Sequence, residues 1–187
     1  AVCAFPALAG AVQAVTEIIQ SGSPVARIEF LDELQIRACN RHSSLALAER
    51  PTLFIEFHGT RSAVEEQLAL ARGVVESHGA SHFQTATDAA QRAKLWKARH
   101  QAYYAARALR PGAECIIADV AVPMSALAEA VTAARAAIDA AGLLGTIVGH
   151  VGDGNFHVLF LFDPAAADER VQVDAVYDAM IRHAHSV

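Results

Sequence analysis

Residues 145–162 read Gly-Thr-Ile-Val-Gly-His-Val-Gly-Asp-Gly-Asn-Phe-His-Val-Leu-Phe-Leu-Phe, two apolar runs joined across Gly152-Asp153-Gly154. Parallel strands need a crossover of about a dozen residues or more, so strands at 145–151 and 155–162 have to pair antiparallel. Asp153-Gly154 predicts a two-residue type I′ turn, which pairs Gly152 with Asn155, Val151 with Phe156 and His150 with His157. Alternation then sends Phe156, Val158, Phe160 and Phe162 to one face, and Asn155, His157, Leu159 and His150 to the other. One such hairpin excludes an all-parallel sheet.

The rest of the chain alternates in the same spirit. Residues 1–5, 26–30, 51–58, 82–87 and 114–122 have the Val, Ile, Phe and Thr content of strands. Residues 8–20, 32–47, 61–77, 88–109, 125–141 and 165–185 carry apolar side chains at helical spacing. The clearest is 61–77, where Val64, Leu68, Leu70, Ala71, Val74 and Val75 form a stripe and Glu65 and Glu66 face away. Thr60 and Asp88 stand where N-caps belong, Gly79 and Gly142 follow helix ends, and Pro123 closes a strand. No strand runs into a glycine-rich phosphate loop. The pattern predicts an α+β fold, ferredoxin-like, with an antiparallel sheet and helices on one face. The repeated strand–helix units suggest an internal duplication that residue-level similarity does not prove.

Composition narrows the function classes. The 187 residues suffice for one domain that buries about 70% of its unfolded surface. With 53% hydrophobic and 19% charged residues the chain is not disordered, and a net charge of −5 argues against a surface that neutralises nucleic-acid phosphates. Cys3, Cys39 and Cys115 are odd in number and widely spaced, which offers neither a disulfide framework nor a CxxC site and fits a reducing cytosol. Apolar stretches break within about a dozen residues, short of a membrane span. The chain opens on Ala1 inside a strand, so the expectation is a piece of a longer protein.

Chemistry concentrates on the hairpin. Opposed His150 and His157 would have Cβ atoms about 4.5–5.5 Å apart, close enough to share an ion with bonds of about 2.0–2.1 Å if it is zinc. Each histidine alone also reads as a structural one. A catalytic ion wants a third ligand, for which His58 or Glu56 are the nearest candidates in type; both also read as the polar end of a strand. Arg99, on a helix with Trp96, Tyr103 and Tyr104, suits a bidentate clamp on a carboxylate, although by residue type alone a solvent-facing ion pair with helix-surface acids is the favoured reading. Trp96 reads as core. No nucleophile elbow, Walker sequence or Rossmann fingerprint is present.

Gly149-His150-Val151-Gly152-Asp153-Gly154-Asn155-Phe156-His157 resembles the signature of the C-terminal domain of FAD-linked oxidases, most closely cytochrome-type D-lactate dehydrogenases and the glycolate oxidase FAD subunit. Residues 27–32, 51–59, 95–100 and 119–123 resemble family blocks in the same order, so the resemblance covers essentially residues 1–187. It implies a substrate and cap domain facing a separate FAD-binding domain of the same parent chain. It further implies that His150 and His157 hold zinc or manganese, that Arg99 binds the substrate carboxylate, and that Asn155 contacts substrate or flavin. The reaction implied is oxidation of a D-2-hydroxy acid to the 2-oxo acid with hydride transfer to FAD. A Glu-His-Gly segment expected past Val187 would add a third ligand and a base. Where hydroxyglutarate enzymes carry lysine and asparagine, this chain has Ile117 or Ala118 and Leu159, which favours lactate or glycolate.

The compartment implied is the cytoplasm, with a peripheral place at the inner membrane open to the parent protein and the electron acceptor unassigned. The sheet face away from the helices is expected to be unusually apolar, because it would meet the flavin domain. The rival reading is a non-catalytic ferredoxin-like module that binds a ligand or dimerises through that face.

Overall fold

The computed structural model describes residues 1–86 and 88–187. Seven strands, β1 (Val2–Ala4), β2 (Val25–Leu31), β3 (Thr52–Phe57), β4 (Ser81–Gln84), β5 (Glu114–Ala121), β6 (Leu144–Gly149) and β7 (Asn155–Phe162), form one sheet. Its order is β4-β1-β3-β2-β6-β7-β5, and every neighbouring pair is antiparallel. Among the described residues seven helices accompany them: α1 (Leu8–Gln20), α2 (Glu33–Ser43), α3 (Arg61–Ser77), α4 (Ala89–His100), α5 (Ala102–Arg107), α6 (Leu127–Ala140) and, after the last strand, α7 (Ala167–Ser186). Thr87, the last residue of the strand expected at 82–87, lies outside the described residues. The helix expected at 88–109 is divided at Gln101 into α4 and α5.

The strand order resolves the question of duplication. In the order β4-β1-β3-β2, strands β1 and β2 flank β3 and are joined through α1, the split β-α-β of a ferredoxin-like unit. In β6-β7-β5, strands β5 and β6 flank β7 and are joined through α6, which repeats the same arrangement. The two units meet where β2 lies beside β6, a seam with only two registered pairs, Phe30 with Gly149 and Leu31 with Val148.

Alternation assigns the two faces. Cys3, Ile28, Phe30, Leu53, Ile55, Ile147, Phe156, Val158 and Phe160 pack against α1, α3, α6 and α7, the helix layer that the pattern predicts. Leu70, counted in the apolar stripe of α3, is exposed instead. The opposite face carries Val2, Leu31, Phe54, Val148 and Leu159. There α2, inserted between β2 and β3, and the α4–α5 connection between the units supply a second, partial cover through Ile36, Cys39, Ala102, Ala105 and Ala106. Fully burying a side chain such as Ile36 stabilises by about 1.5–3 kcal/mol, which is why this face does not stay open. What α2, α4 and α5 leave uncovered is polar: His150, Asp119 and partly His157, with Ile117 the large exposed apolar strand residue on it among the described residues. The unusually apolar face expected from sequence is therefore not found, because its apolar side chains are beneath helices.

Caps follow local chemistry. The side chains of Asp32, Thr60 and Asp88 accept the N–H groups of Gln35, Ala63 and Gln91 and so satisfy free donors at the starts of α2, α3 and α4. Arg61 and Glu65 pair along α3, and Arg170 and Asp174 along α7. No helix among the described residues is long and apolar enough to cross a membrane.

Candidate active site at the seam of the two units

The hairpin that carries the histidines differs from the predicted two-residue turn. Strand β6 stops at Gly149, and Val151–Asp153 form a single 3₁₀ turn closed by Gly154 at φ 75°. The His150 carbonyl accepts the Asp153 N–H at 2.9 Å, and the Val151 carbonyl accepts the Gly154 N–H at 3.3 Å. The reason is Val151, which drops into the core with no exposed surface; that burial outweighs the local preference of Asp-Gly for a tight turn. Pairing consequently runs Val148 with His157 and Ile147 with Val158, two residues out of the expected register. A slip of two preserves the face of every side chain. His150, just past the strand end, still comes beside His157, with ring centroids 5.5 Å apart and planes at 85°.

Each imidazole leans on a carboxylate. His150 Nδ1 is hydrogen-bonded to Glu29 Oε1 at 2.8 Å, and His157 Nδ1 lies 3.0 Å from Asp119 Oδ1. Glu29 comes from β2 of the first unit, while Asp119 comes from β5 of the second, directly opposite His157. An ionised carboxylate only accepts, so each Nδ1 faces its carboxylate as the donor, and in a neutral ring Nε2 then keeps its lone pair. This carboxylate–imidazole pairing is the arrangement that orients metal-binding histidines. Burial, the neighbouring His150 and the Arg99 charge hold His157 below the usual histidine range against the opposing pull of Asp119, which favours the neutral, ligating ring.

Arg99 reaches the same cluster from α4. Its Nε and Nη2 donate to Glu29 Oε2 at 3.0 and 2.7 Å, with both side chains almost fully buried. Nη1 is the guanidinium nitrogen that Glu29 does not engage. Asn155 stands at the start of β7, where its Nδ2 donates to Asp119 Oδ1 at 2.7 Å and to the Val120 carbonyl at 3.2 Å. The structure thus brings Arg99, His150, His157 and Asn155 together around two carboxylates.

His58 and Glu56 do not join them. Glu56 is taken by Arg27, which pairs with it across β2 and β3, and His58 lies 3.5 Å from Glu56. Both line a separate cavity of about 510 Å³ with Phe54, Leu68, Leu95 and Trp96, and its lining includes none of Arg99, His150 and His157. Trp96 packs on Phe54 and beneath the Arg27 guanidinium, 3.7 Å from the ring centre; it is half-buried against the second core and is shared with the cavity, where the sequence predicts a core residue. Among the described residues no group of three or more His, Cys, Asp or Glu side chains converges as an ion cage. Neither of the two third-ligand candidates read from sequence, His58 and Glu56, stands beside His150 and His157.

Glu29 and Asp119 were not read as site residues from sequence. A signal existed: Glu29 interrupts Ile28 and Phe30, and Asp119 sits between Ala118 and Val120, each a carboxylate at mid-strand. The cysteines carry no such chemistry. All three are free, and burial raises each thiol, Cys3 to about 12.

The fold and cluster together define an α+β domain in which two carboxylate-held imidazoles and a buried guanidinium stand side by side at the seam of one sheet. Residues 1–187 match the family of C-terminal domains of FAD linked oxidases, and the chain belongs to that family. A probable mitochondrial D-lactate dehydrogenase of Danio rerio is 45% identical over 98% of this chain. Glycolate oxidase subunit GlcD of Escherichia coli (strain K12) is 30% identical over 80% of it. The chain spans 37% and 30% of those two proteins. An alkyldihydroxyacetonephosphate synthase structure shares the fold at a TM-score of 0.65 and 15% identity, covering 99% of this chain and 39% of its own.

Proposed function

We propose that this chain is the substrate domain of an FAD-linked dehydrogenase that oxidises a D-2-hydroxy acid, of the D-lactate or glycolate type, to the 2-oxo acid. Family membership and the names of the relatives support the class of reaction. The observation that carries the assignment is the pair of carboxylate-held imidazoles beside Arg99. His150 and His157 would hold a divalent ion, zinc or manganese, through Nε2. A bound ion would supply Lewis acidity toward the substrate hydroxyl, and bound FAD would supply the hydride acceptor.

Arg99 offers its Nη1 edge to the substrate carboxylate, a charge-assisted contact that fixes orientation. Asn155 holds Asp119 against His157, and through it the ring. Ile117 and Leu159, opposed across β5 and β7, offer no cation for a second carboxylate, which favours lactate or glycolate over hydroxyglutarate. FAD would be held by an FAD-binding domain elsewhere in the parent chain, and the third ion ligand and the base would come from the Glu-His-Gly segment expected past Val187. Three free thiols fit a reducing compartment such as the cytoplasm, whereas the Danio rerio relative is named mitochondrial.

The test uses the full-length protein. Replacing His150 or His157 with Ala should abolish D-lactate turnover with an artificial dye and remove the bound ion, measured by elemental analysis, while the flavin spectrum persists. Normal kcat in the double variant would overturn the reading.

A further inference from the structure

We propose that Glu29 is a positioning residue whose single carboxylate sets both the Arg99 fork and the tautomer of His150. The proposal rests on His150 as an ion ligand and Arg99 as a carboxylate clamp. Glu29 crosses the seam: it stands on β2 of the first unit, whereas His150 follows β6 of the second and Arg99 lies on the α4 connection. Its side chain is 7% exposed, so its oxygens have protein partners in place of water. Oε2 accepts from Arg99 Nε and Nη2, and Oε1 meets His150 Nδ1.

Three donors converge on this group from two sides, and only a side chain with acceptors at both ends satisfies them. The Arg99 charge offsets the cost of burying the carboxylate. In return Glu29 fixes which guanidinium edge remains for a substrate carboxylate. It also keeps the His150 hydrogen on Nδ1, so that Nε2 can ligate. The ion half and the carboxylate half of the site are thereby aligned by one residue.

Glutamine has the same shape but one acceptor and one donor end. With its oxygen toward Arg99, its NH₂ faces His150 Nδ1 and favours the tautomer that carries hydrogen on Nε2. With its oxygen toward His150, its NH₂ meets the guanidinium donors. Neither orientation serves both partners.

The experiment compares full-length wild type with Glu29→Gln, Glu29→Asp and Arg99→Lys, each labelled with ¹⁵N-histidine and stripped by chelator. Histidine tautomers are read by NMR, Mn²⁺ is then titrated in, and D-lactate kinetics are recorded. Wild type should show His150 with hydrogen on Nδ1. Glu29→Gln should shift it toward Nε2, weaken Mn²⁺ about 10–100-fold, and raise KM for D-lactate. Arg99→Lys, which leaves Glu29 in place, should raise KM yet keep the wild-type tautomer and Mn²⁺ affinity within about twofold. Glu29→Asp retains both acceptors and should restore the Nδ1 hydrogen; it decides the matter alone if the Gln variant does not fold. Wild-type tautomer and affinity in Glu29→Gln, or the same tautomer loss in Glu29→Asp, would overturn the proposal. Wild type that turns over without binding Mn²⁺ or Zn²⁺ would sink the ion reading of the histidines, while the tautomer comparison still judges Glu29.

Discussion

A Cβ built on Gly149 would lie 2.6 Å from the Asn155 carbonyl oxygen and 2.7 Å from Phe156 Cα, closer than such atoms approach in folded chains. The glycine lets β6 and β7 close tightly just before His150, whose ring must reach both Glu29 and His157. Gly152, in the same turn, is different: a Cβ there would meet the Ile28 nitrogen at 3.5 Å, an ordinary contact. Gly149→Ala should therefore cost at least about 1–3 kcal/mol of stability and remove ion binding, because the strand must move and carry His150 with it. Gly152→Ala should leave both nearly unchanged. Urea unfolding and Mn²⁺ titration of the two variants check this contrast; equal behaviour would mean that the backbone approach does not position the histidine.

Between elements, the narrow β2–β6 seam is reinforced by Asp32. The residue follows β2 and caps α2 through Oδ1, which accepts the Gln35 N–H at 2.7 Å. Its Oδ2 accepts the Ile147 N–H at 2.9 Å and lies 3.3 Å from Arg135 Nη1, so one carboxylate ties β2, α2, β6 and α6. Burial pushes its pKa up from 3.8 to about 6, although the two N–H donors and Arg135 pull the other way. A carboxyl whose folded pKa exceeds the unfolded one binds more protons when folded between those values. Its contribution to stability is thus full below pH 4 and shrinks as pH rises toward 6, by up to about 3 kcal/mol at 1.36 kcal/mol per unit. The stability margin of wild type over Asp32→Asn should narrow correspondingly from pH 4 to pH 7. Denaturant melts across that range measure it, and a constant margin would show that Asp32 ionises as an ordinary exposed acid.

At the scale of the molecule, the site draws on both units and on the connection between them. Glu29 belongs to the first, His150, His157, Asp119 and Asn155 to the second, and Arg99 to α4. Neither half alone can assemble it. The proposed parent adds the flavin, since this chain has no glycine-rich phosphate loop. The isolated chain should accordingly purify colourless, without a flavin band near about 450 nm, and should not reduce a dye with D-lactate, whereas the full-length protein should show the band and reduce the dye. Turnover by residues 1–187 alone would place the catalytic groups inside this chain.

The strands, the antiparallel hairpin and the two faces of β7 were legible in the sequence because a period of two and a short connection are local properties. The same locality made His150 and His157 readable as neighbours, since a register error of two residues leaves side chains on their faces. It could not reveal that Val151 would leave the strand, because the gain comes from a core assembled by distant segments. Nor could it show that α2, α4 and α5 would cover the second face, or that His58 and Glu56 would lie apart from the histidine pair. Strand order decided these points. By placing β2 beside β6 it brought Glu29 to His150 and Arg99 across 121 and 70 residues of chain, a proximity set by the pairing of two units and encoded in no short segment of either.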